Sequence, residues 1–328
     1  MAGPIVLGST FLSGVTMYYI LGYQGDDFSF TAACLFGSII SATDPVAVVA
    51  LLKELGASKR LSTLIEGESL MNDGTAMVIF LVILDIVEGK PATAGEVILR
   101  FCRLSFGGPL LGILCGVIVS WILHRIHNKA VLEVNTTFVA SYLVFYIAEG
   151  TDVHVSGILA LVFLGFYMSN SGKVNISAHS LHALHYVWGY IGFMAETIIF
   201  ILSGMVMGVR LSSGNDSHAH KLDGSDFGKV VANYLILHVI RFGMITLFWP
   251  ILKRLGYGME FRHVILCSYA GLRGAVGLSL ALMVVTSPHI NDYIKDVILL
   301  HVGGVALLTL LVNATTTGML VRYLDLAS

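Results

Sequence analysis

The chain has 328 residues, of which 56% are hydrophobic and only 12% are charged, and its formal net charge is -2. A soluble domain carries about 25% charged residues, so this composition excludes an ordinary soluble globular protein. The near-neutral charge offers no basic surface for a polyanion, and we expect no nucleic-acid partner. We expect instead an integral, multi-pass membrane protein whose surroundings are the lipid bilayer.

Hydropathy predicts ten membrane-spanning helices, because about 20 apolar residues are needed to cross a bilayer. The predicted spans are 4–22, 28–52, 62–86, 97–123, 134–149, 153–171, 188–210, 230–252, 262–286 and 296–321. Residues 172–187 predict an amphipathic interfacial segment, and residues 211–227 predict a polar loop. Lys and Arg are more numerous at one set of alternating loop ends, which predicts that this side and both termini are cytoplasmic.

The second span is interrupted in its middle by Asp44 and Pro45. Proline removes a backbone donor and disfavours helical geometry at the residue before it. Ser41 and Thr43 add polar groups at the same point. An unwound helix at this depth is tolerated only where it is buried in protein or lines a cavity, and its freed carbonyls can bind a cation. A simple proline kink is the alternative, but a kink alone does not require a buried acid.

The third span carries the strongest polar constellation in the sequence, formed by Glu68, Ser69, Asn72 and Asp73. Residues four apart lie on one face of a helix. Ser69 and Asp73 can therefore present oxygen atoms to one point, with Glu68 and Asn72 on the neighbouring stripe. Such all-oxygen ligand sets favour hard cations, and the pattern predicts a cation site in this span.

The ninth span contains Gly271-Leu272-Arg273-Gly274 in its middle, which predicts a second interruption of a membrane helix. Arg273 stays charged and needs an acid partner within the membrane. Glu68 is the candidate that we favour for this partner. Any buried charge of this kind can also serve only to tie helices together. One interrupted helix early in the chain and one late indicate a transporter built from inverted repeats.

Three stretches, at 41–76, 192–205 and 271–282, resemble the sodium/proton exchanger (NHE) family of the monovalent cation/proton antiporter superfamily. The amino-acid sequence of 41–76 is most similar to that of the plant salt-tolerance and sperm-type exchangers. The resemblance implies an all-α polytopic fold of the NhaA/NHE inverted-repeat type, with two crossing discontinuous helices. It implies thirteen spans, of which the ten predicted here match the fourth to the thirteenth, so we expect three N-terminal helices and a regulatory tail to be missing.

The resemblance also implies a domain organisation and an assembly. Residues 1–86 and 228–328 would form the two halves of the ion-carrying core, and residues 87–227 the linker helix and the dimerisation scaffold. The expected state is a homodimer, and the expected location is the plasma membrane. No cofactor is implied other than the transported ions.

The motif match carries the family's ion site onto this sequence. Asp73 would bind sodium or a proton in turn, and Asn72 would be its partner. Ser69 would be a side-chain ligand of sodium and Thr43 a backbone ligand. Asp44 would be an acid that either supports the direct ligands from behind or contacts the ion through water.

Further charged residues receive roles from the same match. Glu68 and Arg273 would form a structural ion pair, and Glu196 would contribute to gating or to an ion funnel. Arg241 is left as an interhelical partner of unknown identity.

We therefore expect a secondary active transporter, not an enzyme, that exchanges sodium for protons with electroneutral stoichiometry. Competition of the two ions for Asp73 would couple their movements. The alternatives are a cation channel and an inactive regulatory fragment of an exchanger. An intramembrane metalloprotease is disfavoured because the sequence has no HExxH helix. We interpret His179, His182 and His185 as the solvent-exposed face of an amphipathic segment.

Overall fold

A computed structural model describes residues 2–25, 28–56, 59–90, 93–126, 129–212, 224–254 and 260–326, and these residues are almost entirely helical. The helices of the first half are α1 (Ala2–Val15, extended by a π-helical turn at Thr16–Ile20), α2 (Phe30–Ser41), α3 (Val46–Glu54), α4 (Lys59–Val87), α5 (Ala94–Arg125) and α6 (Ala130–Gly150). The second half contains α7 (Gly157–Asn170), a 3-10 turn (Gly172–Asn175), α8 (Ala178–Ser212), α9 (Gly224–Arg254), α10 (Phe261–Tyr269), α11 (Ala275–Thr286), α12 (Asp292–Leu308), a π-helical segment (Thr309–Ala314) and α13 (Thr315–Tyr323).

The prediction of a polytopic all-helical membrane protein is confirmed, since helix coincides with each of the ten predicted spans. Six helices among the described residues are long and apolar enough to cross a bilayer: Ser62–Val87, Ala94–Arg125, Ala130–Gly150, Ala178–Arg210, Ser225–Ile251 and Asp292–Tyr323. Many large apolar side chains point outward, among them Phe106, Val131 and Tyr186. Such a surface suits contact with lipid.

The predicted interfacial segment at 172–187 is wrong in its extent. Only the short turn at Gly172–Asn175 is separate, and α8 runs without interruption from Ala178 to Ser212. No proline occurs between these residues to end the helix, so the amphipathic residues simply continue into the span. Most of the predicted polar loop at 211–227 lies outside the described residues.

The second span is broken where Asp44 and Pro45 predict. Ser41 ends α2, the backbone is extended at Ala42, and α3 begins at Val46. Asp44 Oδ1 accepts a hydrogen bond of 2.9 Å from the N–H of Val46, so this carboxylate satisfies a free donor at the start of α3.

The ninth span is broken at the predicted glycine-rich motif, between the end of α10 at Tyr269 and the start of α11 at Ala275. The two breaks meet, because Asp44 and Leu272 form an isolated antiparallel bridge. The prediction of two discontinuous helices that cross is therefore confirmed.

The helices form two compact units, one made of Met1–Lys90 with Ile199–Ser328 and the other of Pro91–Ile198. The division into core and scaffold remains a prediction. It places 199–227 in the scaffold, whereas the described part of this stretch groups with the first unit. In that unit, one apolar cluster packs around both breaks, and its members include Val48, Leu52, Ile65, Val264, Leu266, Leu272 and Val321.

In the second unit, a row of glycines lets α5 approach α7 closely. A Cβ on Gly108 would lie 2.8 Å from the carbonyl oxygen of Ser156, and one on Gly116 would lie 2.8 Å from the ring of Tyr167. Gly112 lies between them, against the backbone of α7. Small residues spaced four apart permit this kind of helix packing within membranes.

Candidate functional site

Thr43, in the first break, is the residue on which the predicted ion-site residues of α4 converge. Its N–H donates to Asp73 Oδ1 over 3.2 Å. Its carbonyl oxygen accepts from the hydroxyl of Ser69, and its Oγ1 lies 3.4 Å from Asn72 Nδ2. The unwound backbone at Thr43 makes these contacts possible, because a helical residue would use its N–H and carbonyl within the helix.

The side-chain oxygen of Asn72 has no hydrogen-bond partner in this arrangement. Asn72 Oδ1 is buried and accepts no hydrogen bond, whereas Asn72 Nδ2 faces Thr43 and, at 3.4 Å, Glu68 Oε1. An unsatisfied buried acceptor costs about 1–3 kcal/mol. The carboxylate of Asp73, the hydroxyl of Ser69 and the carbonyl of Thr43 lie together at the break, and oxygen atoms of this kind suit a hard cation.

Asp44 lies on the other side of Thr43, next to the second break. It packs directly against Gly274, where any Cβ would overlap the Asp44 side chain. The other glycine of the motif, Gly271, makes room in the same way for the guanidinium of Arg241. Both glycines are thus required by close approach of a charged group.

The predicted ion pair between Glu68 and Arg273 is wrong in its cation. Arg241 Nη2 lies 3.3 Å from Glu68 Oε1, and both side chains are largely buried. Arg241 Nε also donates to the carbonyl oxygen of Cys267 over 3.2 Å. Arg273 instead donates to the carbonyl of Gly271 at 3.1 Å, and its buried Nε has no hydrogen-bond partner.

The physical reason is the space above Gly271. The guanidinium of Arg241, from α9, occupies this space and therefore contacts Glu68 on α4. The sequence offered two buried arginines for Glu68 and no means of ranking them.

A small cavity of about 20 Å³ lies beside this ion pair. Its polar lining consists of Ser9, Ser13, Ser41, Glu68, Asn72, Arg241 and Arg273. A volume of this size admits about one water molecule. The cavity therefore leaves room for about one water molecule next to Asn72 in the first unit.

Glu196 lies on α8, in the part of this helix that belongs to the second unit. Its predicted role in gating remains a prediction.

Two further buried polar residues, Thr309 and Asn313, lie in the π-helical segment and contact the second break. Neither residue stands out in the sequence, because the run from 296 to 321 is mostly apolar and contains other polar residues as well. Their spacing of four was the available signal, since it places both on one face of a helix.

Comparison with known proteins adds an independent observation. The family described as "Sodium/hydrogen exchanger, transmembrane" matches residues 1–323. Sodium/hydrogen exchangers 8 and 7 of Arabidopsis thaliana are each 37% identical to the chain over 99% of its length. The chain spans only 42% and 28% of these two relatives. The low-affinity Na(+)/H(+) antiporter NhaS1 of Synechocystis is 31% identical over 98% of the chain and is covered to 60%.

A solved structure shares the fold. The sodium proton antiporter MjNhaP1 from Methanocaldococcus jannaschii matches with a TM-score of 0.71 at 20% sequence identity, over 99% of this chain and 77% of that one. The antiporter fold predicted from the motifs is therefore confirmed.

Proposed function

The chain belongs to the sodium/hydrogen exchanger family, and we propose that it forms the ion-carrying part of an antiporter that exchanges Na⁺ for H⁺ across a membrane. The observation that carries this proposal is the convergence of Ser69, Asn72 and Asp73 on Thr43, at the point where two broken helices meet. Unwound backbone at a helix break is where transporters bind small ions.

Asp73 is the group that would hold the two ions in turn. An isolated carboxylate is costly inside a membrane protein, so it is stable there either as the neutral acid or beside a cation. A proton and a sodium ion then exclude each other from the same oxygen atoms. Release of one ion is required for binding of the other, and this competition couples the two fluxes.

The oxygen atoms around Asp73 have distinct tasks in this proposal. Ser69 and the carbonyl of Thr43 would replace water around the dehydrated sodium ion, and Asn72 Oδ1 would contribute its free lone pairs. The N–H of Thr43, which donates to the carboxylate of Asp73, would hold that carboxylate in place in both states.

We propose that exchange is electroneutral, one sodium ion for one proton. Asn72 is a neutral amide, so Asp73 is the acid of the pair that can alternate between its two forms. Asp44 is engaged as the cap of α3 through Val46, and we assign it to the electric field of the site, with contact to sodium through water.

The assembly and the location are part of the proposal. We propose a homodimer in which exposed apolar side chains of α5 and α6, in the second unit, pack partly against the second copy and partly against lipid. For the host membrane we propose the plasma membrane.

Reconstitution of the 328-residue chain into liposomes tests the function. With the membrane voltage clamped by potassium and valinomycin, a sodium gradient should drive proton movement that an internal pH dye reports. The rate should be the same at 0 mV and at a negative voltage. Asp73→Asn, which keeps the size of the side chain, should abolish the flux at equal reconstitution.

Three outcomes would contradict the proposal. A voltage-dependent rate would exclude electroneutral exchange. Single-channel currents would identify a cation channel. Absence of sodium-dependent flux from folded wild-type protein would identify an inactive fragment.

A further inference from the structure

The π-helical segment between α12 and α13 holds both ends of the second helix break. At its start, Thr309 Oγ1 accepts a hydrogen bond of 3.2 Å from the N–H of Arg273. At its end, Asn313 Nδ2 donates to the carbonyl oxygen of Tyr269 over 3.0 Å. Tyr269 is the last residue of α10, and Arg273 lies two residues before α11. Two side chains of one segment therefore span the break.

Asn313 is fully buried and uses both ends of its amide. Its Oδ1 accepts from the hydroxyl of Tyr234 at 2.6 Å, and its Nδ2 lies 2.6 Å from His238 Nε2. His238 Nδ1 lies 2.9 Å from the carbonyl oxygen of Tyr234, to which it must donate. Nε2 of the neutral ring is then the acceptor for Asn313. This network fixes the direction of the amide, with its NH₂ group toward Tyr269.

The carbonyl groups at the end of α10 have lost their partners within the helix, as the last carbonyls of any helix do. Side chains from outside the helix satisfy two of them. Arg241 donates to the carbonyl of Cys267, and Asn313 donates to that of Tyr269. A buried carbonyl left without a donor would cost about 1–3 kcal/mol, so these two contacts stabilise the ending of α10 at this residue.

The residue at which α10 ends is connected to the cation site by two successive hydrogen bonds. Three residues beyond Tyr269, the carbonyl oxygen of Leu272 accepts from the N–H of Asp44. Thr43, the residue directly before Asp44, contacts Asp73 through its own N–H. A displacement of the break by a fraction of an ångström thus changes the position of Thr43 relative to Asp73.

We propose that Thr309 and Asn313 are positioning residues for sodium binding, which act through the second break on Thr43 and Asp73. This inference rests on the proposed function of the site. Neither residue contacts the oxygen atoms assigned to sodium, so their contribution is to the geometry of the site. They should determine the affinity for the ion, beyond any contribution to the stability of the fold.

The test compares Thr309→Val, Thr309→Ser and Asn313→Asp with wild-type protein. Valine keeps the shape of threonine but cannot accept from Arg273, whereas serine retains the hydroxyl. Aspartate keeps the acceptor for Tyr234 but cannot donate to Tyr269 in its ionised form. Thr315→Val is the matched control, because the hydroxyl of Thr315 bonds only to carbonyls of its own helical segment.

The readouts are the sodium concentration for half-maximal exchange, the maximal rate, the melting temperature, and the sodium concentration for half-maximal thermal stabilisation. Thr309→Val and Asn313→Asp should raise both half-maximal concentrations about fivefold, the equivalent of one hydrogen bond. Thr309→Ser and Thr315→Val should stay within about twofold of wild type on the same scale.

Unchanged half-maximal concentrations in both loss-of-contact variants would overturn the inference, even if their melting temperatures fall. If wild type exchanges ions and these variants do so with wild-type affinity, the inference alone fails. If wild type binds sodium without exchanging it, the proposed function fails, and thermal stabilisation still decides the positioning role. If wild type neither exchanges nor binds sodium, both are overturned.

Discussion

The backbone N–H of Asp44 donates a hydrogen bond of 2.9 Å to the carbonyl oxygen of Leu272. These residues lie in the breaks of the second and ninth spans, which are remote in sequence. Because the neighbouring residue Thr43 contacts Asp73, the ninth span helps to place the backbone of the site although its own side chains contribute no assigned sodium ligand. The two breaks therefore act as one structural element.

Gly274→Ala should greatly reduce exchange. A methyl group at this position overlaps the carboxylate of Asp44, so either Asp44 or the second break must move. The initial rate of sodium-driven proton flux in liposomes measures the effect, and we expect a loss of at least about tenfold, which corresponds to 1.4 kcal/mol.

Gly277→Ala, three residues further along in the first turn of α11, is the matched control. A Cβ at Gly277 would lie 3.5 Å from the carbonyl oxygen of Ile39, an ordinary van der Waals distance. This variant should retain its flux. Equal activity of the two alanine variants would show that contact between Asp44 and Gly274 does not shape the site.

Glu68→Gln and Arg241→Leu should each destabilise the folded protein by about 3 kcal/mol, because removal of one partner leaves a buried charge unpaired. Melting temperature in detergent micelles is the measurement. Glu66→Gln is the control, since the pair of Glu66 with Lys53 is exposed and should contribute less than about 1 kcal/mol. Similar small effects of all three substitutions would contradict the assignment of Arg241 as the structural partner.

Glu88, in the turn after α4, should make stability depend on pH. Partial burial acts to raise the pKa of Glu88, but hydrogen bonds from Lys90 and Ser287 outweigh it, and the pKa lies below its ordinary value of 4.5. A lowered folded-state pKa stabilises the protein above the unfolded-state value, and this contribution is lost as pH falls through the folded-state value.

Glu88→Gln should therefore lower the melting temperature by about 1–2 °C at neutral pH. The difference should shrink as the pH falls below 4.5, where the wild-type carboxyl becomes protonated. Melting curves across this range check it. A deficit that is the same at both ends of the range would show that another property of the glutamate is responsible.

The sequence predicted the parts of this fold that depend on local chemistry. Proline at Pro45 and two glycines around Arg273 weaken their helices wherever these helices pack, so both breaks could be located before their contacts were known. The face shared by Ser69 and Asp73 likewise follows from helical periodicity alone.

Features that depend on packing between distant elements were not predicted. The choice of Arg241 over Arg273 as partner of Glu68 requires knowledge of which side chain crosses above Gly271. The roles of Thr309 and Asn313 depend on the π-helical segment, whose wider turn has no clear signature in an apolar run. The full length of α8 does not follow from composition, because the amphipathic residues before 188 continue the same helix.

The dependence of sodium affinity on pH tests the central claim most directly. If one carboxylate, that of Asp73, binds either ion, protons must act as simple competitors, because a ligand has to be deprotonated to hold a cation. The half-maximal sodium concentration for exchange should then rise by up to about tenfold for each unit of falling pH, with the maximal rate at saturating sodium unchanged. A half-maximal concentration that does not change with pH, or wild-type behaviour of Asp73→Asn, would contradict the account.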